Sequence, residues 1–344
     1  MQQFETEIYL RYKRLMSSWR EPKATDRIHD DPPFSCENAQ PRSVTLPEII
    51  DRYDAFCFDG YGTLYNRGSF VYPGAMEWFK MLRRAGKLLR LVTNAASDVD
   101  EVLARDADKR GFNFSTEETI SSGSLLRDLV EQLRRGETAA LSRIANGTAS
   151  LSGTTAKPLE LREVYYIGRE TGKHVLDACG ITAVAMDAEP AEPIVAISSA
   201  KDTPETYAQA VKILQKPGAI LLVLNSDAWA PKIPDENGVT VREPVSGALS
   251  ERLRRDSACD ANGGDGCATF YLGKPFPAIW EKVKRSLPAG ANVLMIGDTL
   301  GTDVYGAKIA GFDSALVIGR NVPADELNAD EKILGIHPDW YLKP

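Results

Sequence analysis

From Tyr53 onward the chain alternates short, solid apolar runs with stretches whose apolar residues recur every three or four positions. The solid runs include Phe56-Cys57-Phe58, Leu88-Leu89-Arg90-Leu91-Val92 and Val164-Tyr165-Tyr166-Ile167, followed by residues 193–197, 219–224, 269–272, 292–296 and 314–318. Runs this short and continuous predict strands covered on both faces, as in a parallel sheet. Between them, Ala75, Trp78, Phe79 and Leu82 stand at helical spacing ahead of Gly86 and predict a helix over residues 74–84. Residues 173–179 and 205–214 predict two more helices. Strand and helix in alternation imply an α/β fold built on a doubly wound parallel sheet.

The rhythm changes character in the middle of the chain. Residues 164–224 hold a complete α/β module of their own, preceded by the Gly/Ser/Thr/Ala-rich stretch 145–156, which reads as an exposed loop. Gly263-Gly264-Asp265-Gly266 reads as a hinge or surface turn, after which the first pattern resumes. The simplest organisation is one α/β domain, 46–120 and 256–344, interrupted by a second at 121–255. Residues 1–45 form a polar extension with a short helix over 8–19. An irregular Pro- and Asp-rich arm follows over 21–43, and the extension is read as a packing or dimerisation appendage.

Composition narrows the partners. The 344 residues carry 41 Lys and Arg against 48 Asp and Glu, a net charge of −7, with no dense basic cluster to meet a nucleic-acid backbone. Nothing approaches the roughly 20 apolar residues of a membrane span. The start Met1-Gln2-Gln3-Phe4-Glu5 lacks a basic, then apolar, leader. Five scattered cysteines with no CxxC pair suit a reducing compartment better than a disulfide framework. The expectation is a cytoplasmic protein binding neither nucleic acid nor membrane.

Chemistry-bearing residues follow the predicted strands in four places: Asp59-Gly60-Tyr61, Thr93-Asn94, Gly273-Lys274-Pro275, and Gly297-Asp298-Thr299-Leu300-Gly301-Thr302-Asp303. In a parallel sheet such strand ends share one edge, so distant segments converge there. Taken singly, each has a plain reading as a turn, a cap or a loop. Taken together they fit one task. Asp59 is a nucleophile, and Asp298 and Asp303 are hard oxygen ligands suited to Mg²⁺. Lys274 supplies a positive charge, and Thr93 with the Asn94 amide donates hydrogen bonds to phosphoryl oxygens. His29, His174 and His337 adjoin no such segment and read as surface or packing residues, as does the pair Lys201-Asp202; Trp229 reads as packing at least as readily as a ring-stacking contact.

The ordered set resembles the four motifs of the haloacid dehalogenase (HAD) superfamily. Tyr72-Pro73-Gly74-Ala75, Leu91-Val92-Thr93-Asn94-Ala95-Ala96-Ser97, Leu222-Val223-Leu224-Asn225-Ser226-Asp227, Val245-Ser246-Gly247-Ala248-Leu249 and Tyr271-Leu272-Gly273-Lys274-Pro275 resemble its class IIA branch, the nitrophenyl, nucleotide and pyridoxal phosphate phosphatases. The resemblance runs from about residue 46 to the C-terminus. It implies that the inserted module is a substrate-selecting cap and that Asp59 forms an aspartyl-phosphate. It also implies that Asp59, Asp298 and the backbone carbonyl of Tyr61 bind Mg²⁺, with Asp303 supporting them. Thr93 and Lys274 would hold the phosphate, Asn225 and Asp227 would border the site, and the substrate would be a small phosphorylated metabolite. Homodimers are common in that branch.

Tyr61 breaks the pattern, because the resembling phosphatases carry a second aspartate there as acid and base. A phenol with an ordinary pKa near 10 can donate a proton at neutral pH but rarely accepts one. Hydrolysis would then be slow. Asp-Gly-Tyr-Gly-Thr-Leu also resembles the first motif of 2-haloacid dehalogenases, in which the aspartate attacks carbon without a metal. The retained Asp298 and Asp303 and the large module after Thr93-Asn94 argue for the phosphatase. A third reading is a phosphate-ester-binding protein without turnover.

Overall fold

The computed structural model describes residues 2–17, 42–137, 159, 161–236, 240–259, 267–321 and 324–343. Its strands are β1 (Arg42–Val44), β2 (Ala55–Phe58), β3 (Leu88–Thr93), β4 (Thr119–Ser121), β5 (Glu163–Ile167), β6 (Thr182–Ala183) and β7 (Ile194–Ile197). They continue as β8 (Ile220–Val223), β9 (Trp229–Pro231), β10 (Arg242–Pro244), β11 (Ala268–Tyr271), β12 (Val293–Gly297), β13 (Asp313–Val317) and β14 (Trp340–Leu342). A seven-stranded sheet takes the order β1-β14-β13-β12-β2-β3-β4, and a five-stranded one the order β11-β8-β7-β5-β6. Every pairing within these two sheets is parallel. β9 and β10 form a separate antiparallel pair.

Each central strand is buried on both faces, which is why it reads as a solid apolar run. Alternate residues of one strand serve different layers. In β2, Phe56 and Phe58 pack with Trp78, Phe79 and Leu82 of the helix Ala75–Arg84, whereas Ala55 and Cys57 face a cluster that also holds Ile194, Ala196, Leu222 and Phe270 of the second sheet. The helices Ser122–Arg134 and Pro277–Arg285 contribute Leu126, Leu129 and Ile279 to that shared cluster, so both sheets border one continuous core.

Three features depart from the sequence reading. β11, read as the return to the first sheet, pairs with β8 in the second, so the chain re-enters the first sheet only beyond residue 271. The chain pattern could not show this, since a buried strand looks alike in either sheet. Residues 42–44, assigned to the polar arm, add β1 to the first sheet beside β14. Cys259 and Cys267 are joined in a disulfide with Cα atoms 4.4 Å apart, where scattered spacing suggested none. Cys57 and Cys179 are free and buried. The remainder of the arm, the stretch 145–156, the run Gly263 to Gly266 and His29 lie outside the described residues. The helix expected over 8–19 spans Gln2–Ser17. No helix among the described residues is long and apolar enough to cross a membrane.

Candidate active site

β2, β3 and β12 lie side by side and parallel, so Asp59, Thr93-Asn94 and Asp298 leave the first sheet at one edge. Lys274 arrives from β11 of the second sheet, across the cleft. After β2 the chain turns tightly, with Leu64 N and Tyr65 N both donating to the Gly60 carbonyl at 2.9 and 3.1 Å. Gly62 takes φ +98° there, and a Cβ on it would lie 1.9 Å from Asp298 Oδ2. Only glycine lets the loop approach the carboxylate so closely. Arg320, itself buried, clamps the loop, donating to the carbonyls of Gly62 and Thr63 at 3.3 and 3.1 Å.

After β12 the chain enters a π-helical turn, Leu300–Val304, a distortion often found at functional sites. The turn folds Asp303 back, so that its Oδ2 accepts from the amides of Asp298 and Thr299 at 3.2 and 3.1 Å. Its Oδ1 accepts from Lys274 Nζ at 2.7 Å. Lys274 is 1% exposed and directs two further hydrogen bonds to Asp59 Oδ1 at 2.6 Å and the Val92 carbonyl at 2.8 Å. Burial alone would pull the ammonium toward neutrality, but Asp303, Asp59 and Asp227 outweigh it and lift Lys274 above the ordinary lysine range.

The acids respond in the opposite sense. Burial pushes Asp59 up to about 7 against the attraction of Lys274, and Asp303 and Asp227 add to the rise. Burial likewise pushes Asp298 well above the carboxylate range, helped by Asp59 and Asp303, and takes Asp227 to about 6. Carboxylates crowded beyond what one lysine neutralises suit a further cation.

Asp59, Asp298 and Asp303 each place one oxygen within 4.8 Å of the others. Asp298 Oδ1 accepts from Thr299 Oγ1 at 3.1 Å, while the buried Oδ2 has no hydrogen-bond partner. A buried anionic oxygen without a donor is costly. Three hard oxygens around such an atom fit a divalent cation of the Mg²⁺ type.

The cleft between the sheets is a cavity of about 330 Å³, reaching from Asp59, Thr93 and Asp298 to Asn225, Asp227, Arg169 and Ser198 of the second sheet's loops. Every residue assigned a catalytic, metal- or substrate-binding role in the sequence, except Asn94, lines it. Thr93 is buried, with its Oγ1 accepting from Ala95 N at 3.2 Å. The Asn94 side chain is spent on the protein, donating to Asp227 Oδ1 at 2.8 Å and the Lys274 carbonyl at 3.0 Å and accepting from Lys274 N at 2.6 Å. Asn225 Oδ1 accepts from Asp227 N at 2.8 Å and so shapes the loop. Tyr61 is half-buried, its ring edge-on to Tyr65 at 5.1 Å. Trp229 borders the cavity and is buried. His174 and His337 sit at the surface beside Asp98 and Glu331, each at 3.3 Å, and Asp202 pairs with Arg252 at 3.5 Å. Sequence reasoning missed Arg320, Asn321, Ser226 and Arg169. The signal for Arg320 and Asn321 was the same as for the others, since they follow β13 at the sheet's edge. For Arg169 it was the Gly168 turn after β5.

Two family models match the chain, one described as haloacid dehalogenase-like hydrolase over residues 56–182 and one as HAD-hydrolase-like over residues 271–342. The 4-nitrophenylphosphatase of Schizosaccharomyces pombe is 26% identical over 313 residues, covering 86% of this chain and 93% of that protein. Glycerol-3-phosphate phosphatase of Rattus norvegicus is 27% identical, over 86% and 89% of the two chains, and human chronophin 25% identical, over 80% and 85%. The solved 4-nitrophenylphosphatase of Thermotoga maritima superposes with a TM-score of 0.60 at 20% identity, covering 86% of this chain and 95% of that one. A glycerol phosphate phosphatase from Mycobacterium tuberculosis, solved in complex with magnesium, gives 0.57 at 23% identity, covering 86% and 76%.

Proposed function

The chain belongs to the haloacid dehalogenase-like hydrolases, and from that premise we propose that it is a phosphatase, hydrolysing small phosphate monoesters through Asp59 with Mg²⁺ as cofactor. Asp59, Asp298 and Asp303, with the Tyr61 carbonyl, would hold the ion. Bound there, the ion would offset the charge of the ester's oxygens. Asp59 Oδ attacks phosphorus, the bond from phosphorus to the alcohol oxygen breaks, and that oxygen takes the phenolic proton of Tyr61 as it leaves or, where acidic enough, departs as the anion. Water then attacks the phosphorus of the aspartyl-phosphate and gives up a proton to solvent or to a Tyr61 phenolate left by the first step, the bond to Asp59 breaks, and orthophosphate departs. Lys274 keeps Asp59 oriented and balances the charge that gathers on the phosphoryl oxygens. Thr93 Oγ1 and the adjoining amides donate to those oxygens. The leaving group lies toward Tyr61, Arg169 and Ser198, in a cavity sized for a small metabolite.

One observation carries this reading: the unpartnered Asp298 Oδ2 inside a carboxylate cluster that Lys274 only partly neutralises. The test is phosphate release from 4-nitrophenyl phosphate and glycerol 3-phosphate, with Mg²⁺ and with EDTA, beside Asp59→Asn. Release should need Mg²⁺ and vanish in Asp59→Asn. A variant as active as the parent would show that Asp59 is not the nucleophile. Halide release from a 2-haloacid in EDTA would assign a dehalogenase instead, and tight ester binding without release would assign a binding protein.

A further inference from the structure

The helix Gln2–Ser17 lies outside both family matches and reaches no reacting atom, yet it touches the site from behind at two points. Tyr12, 1% exposed, donates from Oη to the carbonyl of Ser226 at 2.8 Å. Ser226 is bound into the catalytic loops: its Oγ donates to the Lys274 carbonyl and accepts from Asn94 Nδ2 at 3.2 Å. The next residue, Asp227, takes the same Asn94 amide. The Tyr12 ring also meets Tyr271 and Phe276 edge-on, at 5.0 and 5.2 Å, on either side of Gly273-Lys274. At the second point the Tyr9 ring lies so close to Gly301 that a Cβ there would be 2.2 Å from it. Gly301 belongs to the turn that carries Asp303.

The helix itself is anchored to both parts of the molecule. Lys13 Nζ donates to the Leu334 carbonyl at 2.7 Å, and Glu5 pairs at 2.7 Å with Arg242, which reaches Glu326 at 3.2 Å. Lys274 can reach Asp59 and Asp303 together only while its backbone stays fixed, and small misplacements of a catalytic group are costly. We propose that Tyr12 is a positioning residue of the active site. Its hydroxyl holds the 225–227 loop and, through Ser226, the backbone of Lys274, which makes the N-terminal helix a working part of the site. This rests on the phosphatase reading for its kinetic readout alone.

The experiment compares full-length Tyr12→Phe, which removes only the hydroxyl, with Lys13→Ala, which loosens the same helix away from the site. Steady-state kinetics on 4-nitrophenyl phosphate are paired with orthophosphate affinity from thermal-shift titration. Tyr12→Phe should lower kcat and weaken orthophosphate binding by about three- to tenfold, the scale of one lost hydrogen bond. Its Tm should stay within about 2 °C of the parent. Lys13→Ala should lower Tm and leave kcat and orthophosphate affinity unchanged. Parent-like kcat and phosphate affinity in Tyr12→Phe, or equal losses in Lys13→Ala, would overturn the assignment. If the parent releases no phosphate from any ester, the phosphatase reading fails while the orthophosphate arm still decides the role of Tyr12. A parent that neither releases phosphate nor binds orthophosphate sinks both.

Discussion

On the proposed reading Tyr61 takes the place of the phosphatases' second aspartate, and its surroundings keep the phenol neutral. Burial raises its pKa, and although Arg110, Arg169 and Arg67 pull the other way, the net shift is upward. With a leaving group such as 4-nitrophenolate, which departs without a proton, Tyr61 stays a neutral phenol and has no basic form with which to take a proton from water. On the proposed mechanism, the step that suffers with this substrate is hydrolysis of the aspartyl-phosphate. A stopped-flow trace on 4-nitrophenyl phosphate should show a burst of nitrophenol matching the enzyme concentration, then a slow steady rate. Tyr61→Asp should abolish the burst and raise the steady rate by about a hundred- to ten-thousandfold, the usual range for a positioned acid-base group. An unaltered steady rate would mean that another group already activates the water.

At the scale of elements, the loop after β2 and the turn after β12 make the site by mutual approach, with Gly62 at their contact. Gly62→Ala combines a left-handed backbone, which costs an L-residue roughly 1–2 kcal/mol, with a Cβ only 1.9 Å from Asp298 Oδ2. Gly68 also has positive φ, +64°, but nothing within 4 Å of a Cβ. Gly62→Ala should lose at least about a hundredfold in kcat/KM and lose the thermal shift given by Mg²⁺, while Gly68→Ala keeps both; equal behaviour of the two variants would show that backbone strain alone matters. The contact of these two loops was legible in the sequence as order and strand-end position, because a solid apolar run followed by an acid marks a sheet edge in any α/β fold. Which sheet β11 joins was not legible, since Ala268–Tyr271 is buried on both faces either way. Nor was the docking of the N-terminal helix, whose Tyr9 and Tyr12 look like ordinary amphipathic positions until Gly301 and Ser226 are seen beneath them. The Asn94 side chain misled for a related reason: a polar residue at a strand end suggests a ligand, and here its donors and acceptor are consumed in tying Lys274 to Asp227.

For the whole molecule, a core shared by both sheets holds Asp59 and Asp298 away from water, with Asp227 half-buried beside them at the cleft, and this makes stability depend on protons and cations together. Asp59 is held near 7 and Asp227 near 6, chiefly by burial, whereas an unfolded chain would release both protons near the ordinary value of 3.8. A carboxyl with a raised folded pKa contributes its stability fully below the unfolded value and loses it as pH climbs through the folded value. Without a divalent cation, the folded protein should therefore weaken steadily as pH rises from about 4 to about 7. A cation bound by the deprotonated cluster opposes that loss, and its affinity grows as protons leave. Differential scanning fluorimetry at pH 5, 6, 7 and 8 should accordingly give a Tm gap between Mg²⁺ and EDTA that is small at pH 5 and widens to pH 8. Asp298→Asn, which takes one titrating carboxyl out of the crowded cluster, should lessen the loss of Tm with rising pH in EDTA and close the gap. A gap independent of pH, or one that survives Asp298→Asn, would show that the ion binds elsewhere and that the buried acids answer only to Lys274.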